Sequence, residues 1–239
     1  AGNSGALLAM SIFGLRKLSG ISRPALAAVM PTISGEVVAL DLGANIDCSS
    51  QNLIDFSVMG IVFAQNVLGR PKPRVAFLNV GEEDNKGNSI IQEASRVMKE
   101  SHFADFYKGY VEGDKVISGN FDVVVCDGFS GNVMLKTAEG TAKLCSEYLK
   151  QVFSSSILGK ISYAIGKSSF LGIRKKMDPR KHNGAVLLGL NGIVVKSHGG
   201  TDSIGFAHAV DLATEMSVGN YNELIKNELD KLKPVVDKK

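Results

Sequence analysis

The sequence predicts an α/β protein with one mostly parallel sheet covered on both faces by helices. Three observations carry this prediction. Short β-branched apolar runs alternate along the chain with longer stretches of helical periodicity. At least four of those runs end in glycine plus polar residues, the way parallel strands pass into helices at a ligand-binding edge. An apolar content of 44% with 21% charged residues suits a packed core and not a disordered chain.

Residues 4–18 place Leu7, Leu8, Met10, Ile12, Phe13 and Leu15 at helical spacing and close at Ser19-Gly20. Pro24–Met30 reads as a strand closed by Pro31, and Glu36–Leu42 as a second strand ending in Asp41-Leu42-Gly43-Ala44-Asn45. Asn52–Leu68 is apolar almost all round, which predicts a helix buried in the core or against a partner subunit. Arg74–Val80 is a strand running into Gly81-Glu82-Glu83, and a helix with Ile91, Ala94, Val97 and Met98 on one face starts near Asn88. Phe103–Tyr110 reads as a strand. Asp122–Asp127 is a strand that breaks into Cys126-Asp127-Gly128 and opens a helix carrying Met134, Ala138, Cys145, Tyr148 and Val152. Ala185–Leu190 reads as a helical turn and Gly192–Lys196 as a strand ending in Ser197-His198-Gly199-Gly200-Thr201-Asp202. Phe206, Val210 and Ala213 mark a further helix. Tyr221, Leu224, Ile225, Leu229 and Leu232 mark an amphipathic terminal one, fraying after Pro234.

Residues 1–239 are expected to form one α/β domain, with a helical hairpin protruding at about 154–182. Read as a helix, 154–176 puts Ile157, Ile161, Ala164, Ser168 and Leu171 on one face, and Gly159, Tyr163, Gly166 and Phe170 opposite. Gly159, Gly166 and Gly172 are expected to break it into two short helices. A dimer contact or core helix pair, and a membrane-surface element with snorkelling lysines, are all open for it. The basic residues Arg174-Lys175-Lys176 and Arg180-Lys181 suit an acidic partner.

Other classes are disfavoured. No apolar run of about 18 residues suggests a membrane span. A net charge of +3, with no Trp and few aromatics, argues against nucleic acid. Three cysteines without CxxC suggest reduced thiols in a cytoplasmic protein, and four histidines without HExxH give no metal site. The opening Ala1-Gly2-Asn3-Ser4-Gly5-Ala6 has no initiator Met and reads like the inside of a glycine-rich loop, so the domain is expected to begin upstream.

Five loops are candidates for one anion site: 1–6, 41–47, 79–88, 127–132 and 196–202. They hold Asn3, Asn45, Glu82, Lys86, Asn88, Asp127, Asn132, Lys196 and His198 among many glycines. Glycines let backbone N–H groups turn toward an anion, and helix N-termini add partial positive charge. None of the loops is a GxxxxGK[ST] or GxGxxG signature, so ordinary tight turns remain the rival. Asp41 and Asp127 equally suit helix caps, and Lys86 a solvated lysine. His198, after a strand and before two glycines, is the most suggestive single residue.

Taken together, AGNSGA, LDLGANIDC, LNVGEEDNKGN, CDGFSGNVMLKTAEG and VVKSHGGTDS resemble the PlsX-type phosphate acyltransferases of bacterial phospholipid synthesis, from Ala1 to about Met216. The family's upstream strand and Gly-Gly-Asp loop have no counterpart in this sequence. The resemblance implies a three-layer α/β/α fold like that of isocitrate dehydrogenases and phosphotransacetylases. It implies transfer of a long acyl group from acyl carrier protein to inorganic phosphate, without a cofactor. The acyl phosphate would pass to a glycerol-3-phosphate acyltransferase. A homodimer, peripheral at the inner face of the plasma membrane, is also implied. Lys86, His198 and Asn132 are the candidate catalytic residues. Asn3, Ser4, Asn45, Glu82, Gly87, Asn88, Asp127, Gly128, Gly131, Lys196 and Gly199 are candidates for binding substrate or phosphate. Phosphate is already a competent nucleophile, so the enzyme must supply positioning and donors for the oxyanion, not a triad. A short-chain acyl-CoA phosphotransacetylase and an inactive membrane-associated scaffold are the rivals; a dinucleotide dehydrogenase is disfavoured.

Overall fold

A computed structural model describes residues 3–176, 178, 180 and 183–236. The side chains of Arg174, Lys175, Lys176 and Lys181, read above as a basic run, lie outside the described residues, as do Leu171, Leu232, Ala1 and Gly2.

Seven strands form one sheet: β1 (Ala25–Thr32), β2 (Gly35–Leu40), β3 (Val75–Leu78), β4 (Tyr107–Val111), β5 (Val123–Val125), β6 (Ala185–Leu188) and β7 (Val195–Lys196). Their order is β4-β3-β5-β2-β1-β6-β7. Strands β2 to β6 run one way, and β1 and β7 run against them. The helices are α1 (Ser4–Leu15), α2 (Ser50–Asn66), α3 (Ser89–Glu100), α4 (Gly128–Ser154), α5 (Ile157–Lys176), α6 (Ser203–Val218) and α7 (Tyr221–Val236).

Side chains alternate across a strand, so the sheet builds two cores. Val38, Leu40, Val123 and Val125 face α2, α3 and α7. Val37, Ala39 and Val124 face Leu7, Leu8 and Ile12 of α1 and Met134, Leu135 and Ala138 of α4. The result is the expected three-layer α/β/α arrangement. Helix α2 is buried from Asn52 to Ala64 because the sheet covers one side and α3 and α7 the other. Tyr221 of α7 donates a hydrogen bond to the Met59 carbonyl at 2.7 Å.

Three local expectations are corrected. Residues 185–188 form strand β6, not a helical turn: a short apolar run does not reveal its own period, and β1 and β7 pair with it on both sides. Pro31 does not close β1, which continues to Thr32 in a hairpin with β2. β6 pairs only as far as Ala27, so β1 is an edge there and its missing N–H costs no ladder bond. Finally, α5 is not broken at its glycines. Its glycine face packs on α4, where Tyr163 and Phe170 meet Phe153 with ring centroids 5.8 and 4.6 Å apart. A side chain on Gly159 would crowd the Val152 carbonyl. The other face of α5 is left outward, with Ile157 79%, Ile161 51% and Ile165 81% exposed.

Candidate active site

The site begins at a change of direction in the sheet. β2 and β5 are adjacent and parallel, but β2 leads into α2 on one face and β5 into α4 on the other. The connections therefore leave toward opposite faces outside the carboxyl ends of these strands, the place where ligands of open α/β sheets bind.

Loop 41–45 forms one wall. Asp41 is fully buried. It accepts hydrogen bonds from the backbone N–H of Leu26, Ala44 and Asn45 and from Asn45 Nδ2, at 2.9, 3.0, 2.6 and 2.8 Å. Burial raises its carboxyl above the ordinary range, while these donors pull it down. Asp41 does not cap α2; Ser49 does, accepting from Asn52 N–H. Asn45 spends its side-chain amide on Asp41 and on the Pro24 carbonyl at 2.7 Å, so its N–H groups point inward. Gly43 takes φ +119°, and a Cβ there would lie 3.4 Å from Asn132 Cβ.

The first turn of α4 packs directly on this loop. Asp127 caps the helix, accepting from Ser130 N–H at 2.7 Å and Ser130 Oγ at 2.9 Å. Gly128 N–H donates to the Asn45 carbonyl at 2.7 Å. A Cβ on Gly131 would overlap the Asp41 carbonyl oxygen. These two glycines let helix and loop touch backbone to backbone, and Asn132 stands exposed beside Gly43.

Against the same loop, α1 brings its N-terminus. Asn3 caps it by accepting from Ala6 N–H at 3.1 Å. Lys196, at the end of β7, donates from Nζ to Ser4 Oγ at 2.5 Å. Ser4, Lys196, Gly43 and Ala44 line one narrow cavity with Leu7, Leu26 and Leu187. Beyond loop 41–50 lies an open cleft of about 590 Å³ lined by Ser22, Arg23, Asp47, Ser49, Asn52 and Ile90. The structure thus gathers Ser4, Lys196, Gly43 and Asn132.

Lys86 and His198 make no hydrogen bond to this cluster among the described residues. The Lys86 stem lies against Gly81. In the same loop, Glu82 pairs with Lys115 at 3.0 Å, and Asn88 caps α3 by accepting from Ile91 N–H at 3.0 Å. Gly87, at φ +83°, sits on buried Asn79, whose Oδ1 accepts from Val80 N–H while its Nδ2 has no partner among the described residues. His198 is exposed; its N–H donates to Asn183 Oδ1 at 2.9 Å, and its Nδ1 accepts from Gly200 N–H at 3.2 Å. Gly199 is open to solvent.

Two residues that hold these loops escaped the sequence reading. Buried Asn183 ties the His198 loop to α6 through Ser197 Oγ at 2.9 Å and the Gly205 carbonyl at 2.7 Å. Buried Asn79 lies against Gly87 within the 79–88 loop, its Oδ1 accepting from Val80 N–H. Nothing in their sequence neighbourhoods sets them apart from ordinary loop asparagines.

Two of the thiols, Cys48 and Cys126, lie close to this loop. Burial, then the nearby Asp41 charge, pushes Cys48 up to about 11 and Cys126 well above its usual value. Both therefore stay protonated at neutral pH.

A three-layer sheet that brings Ser4, Lys196, Gly43 and Asn132 together at its switch point defines an open-sheet α/β protein with a candidate anion site. Solved structures agree on the fold. A phosphotransacetylase from Streptococcus pyogenes matches with TM-score 0.59 and 17% identity, over 90% of this chain and 60% of that one. The EutD phosphotransacetylase from Staphylococcus aureus matches with TM-score 0.54 and 16% identity, over 91% and 61%. The chain belongs to the fatty acid synthesis protein family, the PlsX-type phosphate acyltransferases, whose model matches residues 1–224. Proteins called phosphate acyltransferase from Paramagnetospirillum magneticum and Rhodospirillum centenum are 53% and 50% identical to it over 98% and 99% of its length. The chain spans 67% of each of those relatives, and 63% of a third from Granulibacter bethesdensis at 51% identity.

Proposed function

We propose that the chain transfers a long acyl group from acyl carrier protein to inorganic phosphate. The observation that carries this reading is the meeting of Lys196, the α1 N-terminus, Gly43 and Asn132 at the β2/β5 switch point, in a chain half identical to phosphate acyltransferases. A phosphate oxygen attacks the thioester carbonyl carbon, the C–S bond breaks, and the departing thiolate takes up a proton. Lys196 and the α1 N-terminus hold the phosphate dianion. The Asn132 amide donates to the developing oxyanion. Lys86 adds positive charge from the β3 loop, and exposed His198 is the proton donor to the thiolate. The open cleft beside loop 41–50 has room for the carrier's thioester arm.

The outward apolar face of α5 and the exposed half of α4 support docking on a membrane surface or a second copy of the chain. No described helix is long and apolar enough to cross a membrane. Peripheral attachment at the cytoplasmic face would place the acyl phosphate beside the glycerol-3-phosphate acyltransferase that consumes it. The test is phosphate-dependent release of carrier thiol from long-chain acyl carrier protein. Turnover with short acyl-CoA but not with the carrier substrate would favour a phosphotransacetylase. No thiol release with either would leave a scaffold.

A further inference from the structure

We propose that Asp41 is a positioning residue for the phosphate cradle, locking loop 41–45 and the first turn of α4 into one rigid unit. This rests on the phosphate-binding reading above.

Asp41 reaches four pieces of chain at once. Its carboxylate accepts from Leu26 at the start of β1 and from Ala44 and Asn45 in its own loop. Its backbone N–H donates to the Cys126 carbonyl at the end of β5 at 2.9 Å. Its carbonyl oxygen accepts from Cys126 Sγ at 3.4 Å and abuts Gly131. Asn45, held by Asp41 at main chain and side chain, completes the join by accepting from Gly128 N–H.

All four neighbours of the carboxylate are N–H donors. An aspartate can accept from all of them; an asparagine of the same shape would turn an NH2 toward two N–H groups. Buried donors that face each other must move apart, and the group free to move is the 43–45 turn. That turn carries Gly43 against Asn132 and lines the cavity with Lys196. Asp41 itself, fully buried, cannot touch substrate, so its influence runs through the cradle alone.

The experiment is steady-state kinetics of the purified Asp41→Asn protein, with Asp122→Asn as a control for general destabilisation at the other end of β5. The expected result is a phosphate KM raised about tenfold or more, with the acyl-donor KM within about twofold of wild type. Asp122→Asn lowers the unfolding midpoint without moving the phosphate KM. A folded Asp41→Asn protein with an unchanged phosphate KM, or with both KM values raised alike, overturns the proposal. If Asp41→Asn does not fold, Asn45→Ala decides: it removes one of the four donors and should raise the phosphate KM selectively by a few-fold, and no change overturns the proposal. If wild type shows no turnover, the functional reading fails separately. Calorimetric titration with inorganic phosphate then decides this one: wild type should bind and Asp41→Asn bind more weakly, while equal binding or none overturns it.

Discussion

Helix α4 offers the same substitution at two glycines with opposite expected signs. Gly140 lies mid-helix and exposed, and a Cβ there meets nothing within 4 Å. Gly140→Ala should stabilise by about 0.5–1 kcal/mol, because alanine gives up less backbone freedom in a helix. A Cβ on Gly131 overlaps the Asp41 carbonyl and lies 2.8 Å from Cys126 Sγ. Overpacking of that kind costs about 1–3 kcal/mol. Forcing helix and loop apart also strains the Gly128–Asn45 hydrogen bond, worth roughly 1 kcal/mol. The helical gain offsets part of this, and the net is a destabilisation of about 1–3 kcal/mol. At about 2–4 °C per kcal/mol for a chain of this size, thermal unfolding should separate the variants clearly. Gly131→Ala falls by roughly 2–12 °C and Gly140→Ala rises by about 1–4 °C. Gly131→Ala should also lose activity, since the same contact sets Asn132 beside Gly43, while Gly140→Ala keeps it. An unfolding midpoint for Gly131→Ala within a degree of wild type would refute the close-contact reasoning. So would parallel shifts in the two variants.

Asp122, nearly buried, accepts from Arg74 N–H at 2.8 Å and Arg74 Nε at 2.9 Å, and Asp122→Ala should cost roughly 1–3 kcal/mol in urea unfolding. Burial raises its carboxyl, but the hydrogen bonds and charge of Arg74 outweigh this and hold it below the ordinary range. Its stabilisation is therefore full above the unfolded value of about 3.9 and is lost as pH falls through the lower folded value. The stability gap between wild type and Asp122→Asn should stay constant from pH 7 to 5 and close only in stronger acid. Lys86→Ala and His198→Ala should each lower turnover at least about tenfold, and Lys196→Met should act mainly on phosphate KM; near-normal kinetics in a folded variant would remove that residue. Ile161→Glu with Ile165→Glu should abolish co-sedimentation with anionic vesicles, and pelleting equal to wild type would rule out the membrane role for α5.

The sheet and its loops were legible because their signals are local. Val123-Val124-Val125 followed by Asp127-Gly128 announces strand, cap and helix within a few residues. The same holds for Asn88 before α3 and Asp202 before α6, where it accepts from Gly205 N–H at 3.0 Å. What stayed hidden depends on which pieces of chain become neighbours. Residues 185–188 carry no period of their own, and only pairing with β1 makes them a strand. Asp41 looks like a helix cap from its sequence, but its partners include Leu26, fifteen residues earlier. Lys196 and Ser4 meet across 192 residues. That Lys196 lines a cavity with Gly43, and Gly43 in turn lies against Asn132, follows from strand order, which no spacing in the sequence encodes.

That strand order also gives α4 two unlike ends. Its first turns are fixed: Asp127 caps them, Gly128 and Gly131 press on loop 41–45, and Met134, Leu135 and Ala138 pack on the sheet. Its outer half, residues 139–152, is exposed and carries Leu144, Tyr148, Leu149 and Val152 toward solvent beside α5. The helix runs unbroken for 27 residues, about 40 Å, with no proline to kink it. A stiff rod anchored at one end cannot be engaged at the other without fixing the orientation of the anchor. A surface docked on the α4–α5 hairpin would therefore also set how the turn that carries Asn132 faces it. An apolar surface far from the chemistry and a polar turn inside it are, mechanically, two ends of one element.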